Sequence, residues 1–354
     1  MTKSAAARSW RPLTAVVVVA LVMLAATSCG GSTDEPGGDD ISSGSRHVNL
    51  IAYATPKPGF DVVIPAFRRT EAGRDIGFSQ SYGPSGDQSR KVARRVPADV
   101  VNVSVQPDIT RLVDAGVVDE DWQQREPNGS VPFGSVVAFV VRKGNPKNIH
   151  GWDDLLRPGV QVITPNPGSS GSAKWNLLAP YAVHSDGGSD HQAGLDYIAE
   201  LIRDHVTVIP KSGREATTAF EQGQGDVLIS YENEAIMLDR ADATASPDKQ
   251  VEYFVPAETF RIENPVAVVN TTSDESAARD FVDYLFTDEA QVLWAEQGFR
   301  PVMPSAIAAT SALFPGEIDT LWTIDELGGW DAVDAELFGP DGAITEIFDT
   351  GGRQ

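Results

Sequence analysis

Three short stretches place serine or glycine at the start of a helical pattern: Gly83-Pro84-Ser85-Gly86, Gly168-Ser169-Ser170-Gly171-Ser172 and Ser212-Gly213. The first turn of a helix leaves backbone N–H groups without intrahelical acceptors and carries about half a positive charge. Several such turns meeting at one point would hold an anion without any cationic side chain. Each serine taken alone has a plainer use as a helix cap, and spacing along the chain does not establish that the loops meet.

Other chemistry has less to stand on. The chain contains no G-x-S-x-G, H-E-x-x-H, C-x-x-C or G-x-x-x-x-G-K-[ST]. His47, His150, His184, His191 and His205 lie in polar or linker-like segments beside no plausible nucleophile and read as surface residues. The acidic pairs Asp153-Asp154 and Glu232 with Glu234 could bind a metal or act as acid and base, but they read better as solvated faces or helix-start carboxylates. Neither an enzyme nor a metal or cofactor site is expected.

The 354 residues are 41% hydrophobic and 22% charged, which suits a globular chain of two lobes. Fifty acidic residues against 28 basic ones give a formal charge of -22, which repels nucleic acids and anionic lipid. The single cysteine, Cys29, excludes an intramolecular disulfide and a thiolate cluster. It ends a lipoprotein-type signal: Lys3, Arg8 and Arg11, then the 14 apolar residues Leu13 to Ala26, then Ala26-Thr27-Ser28-Cys29. A run that short spans only about two-thirds of a bilayer core. Residues 1–28 are therefore expected to be removed and Cys29 acylated. Residues 29–46, rich in Gly, Ser, Asp and Glu, form a flexible acidic tether that leaves the protein on the outer face of the cytoplasmic membrane.

From His47 onward short apolar runs alternate with helical patterns. Strands are predicted at 48–52, 75–81, 98–105, 136–142, 161–164, 206–209, 226–230, 251–255 and 265–269. Helices are predicted at 62–70, 87–96, 108–115, 152–156, 173–181, 192–204, 216–222, 233–241, 275–285 and 289–297. The alternation implies α/β layers with mostly parallel sheets.

A specific resemblance runs through these elements. Gln80-Ser81-Tyr82-Gly83-Pro84-Ser85-Gly86-Asp87-Gln88, Ala98-Asp99-Val100-Val101, and Arg142-Lys143-Gly144-Asn145-Pro146-Lys147 with Trp152-Asp153-Asp154-Leu155 resemble successive signatures of the prokaryotic sulfate-binding proteins of ABC importers. So do the run Asn166 to Asn176, the run Gly225 to Ala235, Pro265 to Val269, and the tail Leu321 to Glu326 with Gly328-Gly329-Trp330. Together they cover residues 47–349 in order. The resemblance implies a two-lobed, type II periplasmic-binding-protein-like fold with the ligand in the interlobe cleft. Lobe 1 would take residues 47–133 and lobe 2 residues 134–260, and residues 261–354 would return to lobe 1 and add C-terminal helices.

Carried over by position, sulfate would be held by Ser85, Ser170, Gly171, Ser172 and Gly213, with Ala54 at the first-strand contact and Tyr231 where the family often has tryptophan. Ala54 replaces a common aspartate and Ser172 a glycine. Implied partners are sulfate, with thiosulfate or molybdate as alternatives, and permease subunits coupled to an ATPase; a monomer is expected. A ligand-sensing lipoprotein is the alternative use. No carboxylate falls at the carried-over positions. A site made only of donors would leave the proton of hydrogen phosphate unpaired, at a cost of about 1–3 kcal/mol, and so favours sulfate.

Overall fold

The run Val48 to Tyr53 puts apolar residues on both faces of an extended chain, as suits a strand covered on both sides. The computed structural model describes residues 41–242, 250–314 and 318–351. Its first part comprises β1 (Arg46–Tyr53), α1 (Lys57–Arg69), β2 (Ile76–Gly83), α2 (Ser85–Ala93), β3 (Val100–Asn102), α3 (Gln106–Asp114) and the single turn α4 (Pro127–Ser130). Then come β4 (Phe133–Arg142), β5 (Val162–Ile163), α5 (Gly171–His184), α6 (His191–Glu200), β6 (Val206–Val208), α7 (Gly213–Glu221), β7 (Val227–Tyr231), α8 (Glu232–Asp242) and β8 (Val251–Phe254). The last part holds β9 (Glu258–Glu263), β10 (Val266–Val268), α9 (Glu275–Tyr284), α10 (Asp288–Glu296), β11 (Arg300–Pro301), α11 (Pro304–Thr310), β12 (Thr320–Trp322), α12 (Trp330–Val333) and α13 (Ala343–Gly351). The N-terminal signal, Cys29 and most of the tether lie outside the described residues.

Two mixed sheets organise the chain. The first has the order β10-β3-β1-β2, with β1 parallel to β2 and β3 and with β10 antiparallel to β3. One of its faces buries Phe60, Phe67, Phe78, Phe281 and Trp294, the other Val92, Val101, Ile109 and Leu112. Each such side chain contributes about 1.5–3 kcal/mol on burial. The second sheet has the order β12-β9-β4-β7-β5-β6, and β8 and β11 also pair with β4.

In β4 the two-residue period of a strand divides the second lobe's core. Val137, Phe139 and Val141 face one cluster with Trp152 and Trp175, while Ala138 and Val140 face another with Phe220 and Leu228. The same strand joins the lobes. Phe133, at its start, packs 4.1 Å from Trp294 in the first core, and Phe139 packs 4.5 Å from Trp152 in the second. β9 runs antiparallel beside it, Gly134 opposite Glu263 and Val136 opposite Arg261, and the chain then re-enters the first sheet as β10. The C-terminal segment lies on the second lobe, with α13 against α6 and with Trp330 edge-on to Trp175.

Three departures from the sequence reading are informative. The helix expected over 192–204 ends at Glu200 and finishes as a π turn, Leu201–His205. His205 is buried, and its Nδ1 lies 3.1 Å from the carbonyl of Val160, so it is not a surface histidine. β9 was not expected, because Glu258-Thr259-Phe260-Arg261-Ile262-Glu263 mixes charge with apolar residues; it is a crossover strand with only part of its surface sealed.

Candidate functional site

β1, β2 and β3 run parallel and end at the same edge of the first sheet, and each is followed by a loop that opens a helix. Tyr53 and Gly83 are register partners at that edge, which brings Ala54 and Ser85 to neighbouring strand ends. Parallel α/β sheets bind ligands at this edge. Ser85 is the first residue of α2, and its hydroxyl donates to Asp108 Oδ2 at 2.6 Å and accepts the backbone N–H of Ser104 at 2.9 Å. Ser104, in the loop after β3, is thereby fixed at the cleft.

The second lobe meets this edge directly. The N–H of Gly86 donates to the carbonyl of Ser169 at 3.1 Å, and the indole N–H of Trp175 donates to the carbonyl of Ser104 at 2.8 Å. Ser104 Oγ and the Tyr231 hydroxyl share a hydrogen bond of 2.6 Å. A Cβ on Gly171 would lie 2.6 Å from Ser104 Cβ, closer than carbon atoms can pack, so glycine is needed for this approach. A Cβ on Gly213 would lie 3.0 Å from Ser172 Oγ and 3.1 Å from Glu234 Oε2, which puts the starts of α5 and α7 and the first turn of α8 together. Helix starts from both lobes thus lie together, and the positive ends of their dipoles favour an anion beside them.

Among the described residues, the arginines nearest these helix starts are ion-paired. Arg90 pairs with Asp87 at 2.6 Å, Arg111 with Asp108 at 2.6 Å, and Arg214 lies 3.8 Å from Glu234. Burial pushes the Tyr231 phenol above its ordinary value, against the pull of its bonds to Ser104, Ser172 and Asn264, so at neutral pH it keeps its proton. Among the described residues, no group of three or more His, Cys, Asp or Glu gathers to hold a metal. A cavity of about 480 Å³ beside β4, β9 and β11, lined by Ser135, Arg261, Glu263 and Arg300 among others, shares none of the residues of this cluster.

The sequence profile of the bacterial extracellular solute-binding proteins matches residues 48–300. A sulfate-binding protein of Synechococcus elongatus is 38% identical over 96% of each chain, and one of Escherichia coli is 36% identical over 81% of this chain and 88% of its own. The chain belongs to this sulfate-binding family. In three dimensions it is similar to the sulfate-binding protein SubI from Mycobacterium tuberculosis H37Rv, with a TM-score of 0.79 and 56% identity over 83% of this chain and 100% of that one. Membership carries with it the two-lobed α/β fold, an extracytoplasmic location and a transport-associated role of binding a solute.

Within this solute-binding protein, Ser85, Gly171, Ser172, Gly213 and Tyr231 come together at the cleft. Ser170 lies at the same loop, but its backbone N–H is spent on the carbonyl of Asn166 at 2.8 Å, which leaves its hydroxyl as the donor. The hydroxyl of Ser85 is likewise committed, to Asp108 and Ser104, which leaves its backbone N–H. Ala54 is half-buried at the end of β1, and its carbonyl accepts from the N–H of Lys57 at 3.3 Å.

Sequence reasoning missed Ser104, Tyr53 and Asn264, and read Glu234 only as a helix-start carboxylate. Asn264 donates to the carbonyl of Ser104 at 3.0 Å. The Tyr53 hydroxyl is buried without a hydrogen-bond partner among the described residues, and its titration is raised by burial first and then by Tyr231 and Glu234. A small polar residue directly after a parallel strand was the available signal for Ser104. Although the carried-over positions hold no carboxylate, the fold brings that of Glu234 beside them.

Proposed function

We propose that the protein captures sulfate outside the cytoplasmic membrane, encloses it between its lobes, and delivers it to a permease powered by an ATPase subunit, making and breaking no covalent bond. The observation that carries this reading is the close approach of the α2, α5 and α7 starts, beside which Arg90, Arg111 and Arg214 each have a carboxylate partner. The N–H groups of Ser85, Gly171, Ser172 and Gly213 and the hydroxyls of Ser170 and Tyr231 supply the donors, with the backbone of Ala54 at the rim. Sulfate needs only donors, and a buried dipolar site strengthens each of them. Names of relatives that bind sulfate support the choice of ion.

Export by residues 1–28, acylation at Cys29 and a tether at 29–46 would keep the carrier beside its permease. Residues 47–133, 134–260 and 261–354 serve as lobe 1, lobe 2 and the return with the C-terminal helices, and the carrier acts as a monomer. Calorimetric titration of the purified chain with sulfate tests the reading, with thiosulfate, molybdate and phosphate as competitors. One-to-one sulfate binding that phosphate does not displace is expected. Preference for thiosulfate or molybdate would reassign the ion, and displacement by phosphate would refute the donor-only account. Binding without any loss of sulfate uptake on deletion would favour a sensing role.

A further inference from the structure

The cavity beside β4, β9 and β11 lies on the strands that carry the chain between the lobes, apart from the anion site. In its floor Val136 stands opposite Arg261, and Gly134 stands opposite Glu263 on one side and Arg300 on the other. Gly134 has no side chain to fill the gap between those two charged residues. The space of about 480 Å³ is enough for a small organic molecule. Its walls come from both sides of the crossover: Val302, which packs against the first core, lines it with Ile307 and Phe314, and Leu321 of β12 lines it next to Trp322, which packs on the second core. These walls are mainly apolar, and Ile307, at 48% exposure, is the most water-exposed large apolar side chain among the described residues.

The charges in this cavity are unequally satisfied. Arg300 is held by Glu232 through bonds of 2.6 and 2.9 Å, and Arg261 is exposed to water. Glu263 is half-buried, and among the described residues its carboxyl has neither a hydrogen bond nor a close ion pair. Burial raises its titration above the ordinary value, Arg261 draws it back and Asp325 raises it further. The hydroxyls of Thr310 and Ser311 do not serve it, since they donate to the carbonyls of Ala306 at 2.7 Å and Ala308 at 3.3 Å. A carboxyl partly stripped of water and left without a donor gains most from a ligand that brings one, and a positively charged donor serves it best.

We propose that this cavity is a second ligand site, for a small molecule that carries a primary amine on an apolar body: the ammonium bonds the carboxyl of Glu263, and the body lies against Ile307, Phe314 and Leu321. Because the walls belong to both sides of the crossover, their spacing changes when the lobes part. An amine seated while the lobes are joined, as they are through Gly86 with Ser169 and Trp175 with Ser104, favours that joined arrangement. Linkage is reciprocal, so the amine tightens anion binding and the anion tightens amine binding. The amine site stands apart from the carrier reading, and only its effect on sulfate rests on that reading.

The test uses the purified full chain and three probes with one phenyl body: phenethylamine, phenethyl alcohol and hydrocinnamate, which are a cation, a neutral molecule and an anion at neutral pH. Calorimetry at matched ionic strength should show saturable one-to-one binding of phenethylamine, with the alcohol and the acid at least about tenfold weaker. E263Q removes the charge and keeps the shape; it should lose that preference while binding sulfate like the wild type when no amine is present. With phenethylamine saturating, the sulfate affinity of the wild type should rise at least about threefold, and at the same amine concentration that of E263Q should not move. Failure of phenethylamine to bind, equal binding of the three probes, or a preference that persists in E263Q overturns the amine site. Amine binding that leaves sulfate affinity unchanged overturns the coupling between the sites. Should E263Q fail to fold, the order of the three probes in the wild type decides. A wild type that takes the amine but binds no sulfate, thiosulfate or molybdate would sink the carrier reading and leave the amine site standing.

Discussion

Glu232 and Glu234 sit two residues apart in the first turn of α8, both almost fully buried, and the fold treats them in opposite ways. Glu232 faces the crossover strands, where Arg300 of β11 grips it with two bonds of 2.6 and 2.9 Å and itself lies over the ring of Phe314. Since β11 pairs with the start of β4, this ion pair ties the second lobe's helix to the point where the chain passes between lobes. Glu234 faces the start of α7, where it meets the hydroxyls of Ser230 and Thr217 and pairs more loosely with Arg214, at 3.8 Å. The same residue type, dipole and depth therefore yield a tight anchor between lobes in one case and a looser pair beside the start of α7 in the other. The difference comes from a partner 68 residues along the chain.

The contrast breaks most visibly if the anchor is removed. Glu232→Ala leaves Arg300 without its partner and should cost about 3–5 kcal/mol in denaturant unfolding, whereas Glu234→Gln should cost under about 1 kcal/mol. Equal losses would erase the distinction.

On the cleft side, Gly171→Ala should show the reverse signature. Its methyl would collide with Ser104, so sulfate affinity should fall by about 2 kcal/mol, or about thirtyfold, with the ligand-free melting temperature nearly unchanged. A stable variant that binds as well as wild type would show that the lobes need not approach this closely.

The smallest effect isolates burial of a carboxyl from both roles. Glu126 lies far along the first lobe, where burial and then Asp283 raise its titration to about 7. The folded state holds that proton longer than the unfolded one, so stability should decline as pH rises from about 4.5 to 7. Glu126→Gln should therefore stabilise the protein at pH 8 by about 1 kcal/mol or less, solvent screening having reduced the effect, and by nothing at pH 4. Thermal melts at the two pH values check this, and sulfate affinity should not move.

Where apolar periodicity was strong, the fold was legible. β1, β4 and β7 follow from runs of Val, Ile, Leu and Phe, and the starts of α2, α5 and α7 follow from serine and glycine placed ahead of a helical pattern. β9 was hidden because a strand between lobes carries Glu and Arg as readily as Phe and Ile. Likewise, Ser170 could be named from its loop, but which of its groups remains available depends on a turn closed by Asn166. The tight pairing of Glu232 with Arg300, and the looser one of Glu234 with Arg214, depend on how distant segments come together, which one-dimensional spacing does not encode.

Trp175 joins these themes. Its indole is sealed from water, bonded to Ser104 of the opposite lobe and backed by Trp330 from the C-terminal segment. Any parting of the lobes must break that bond and bring water to the ring. The protein thus carries its own optical gauge, an intrinsic fluorophore whose emission marks whether the cleft is shut.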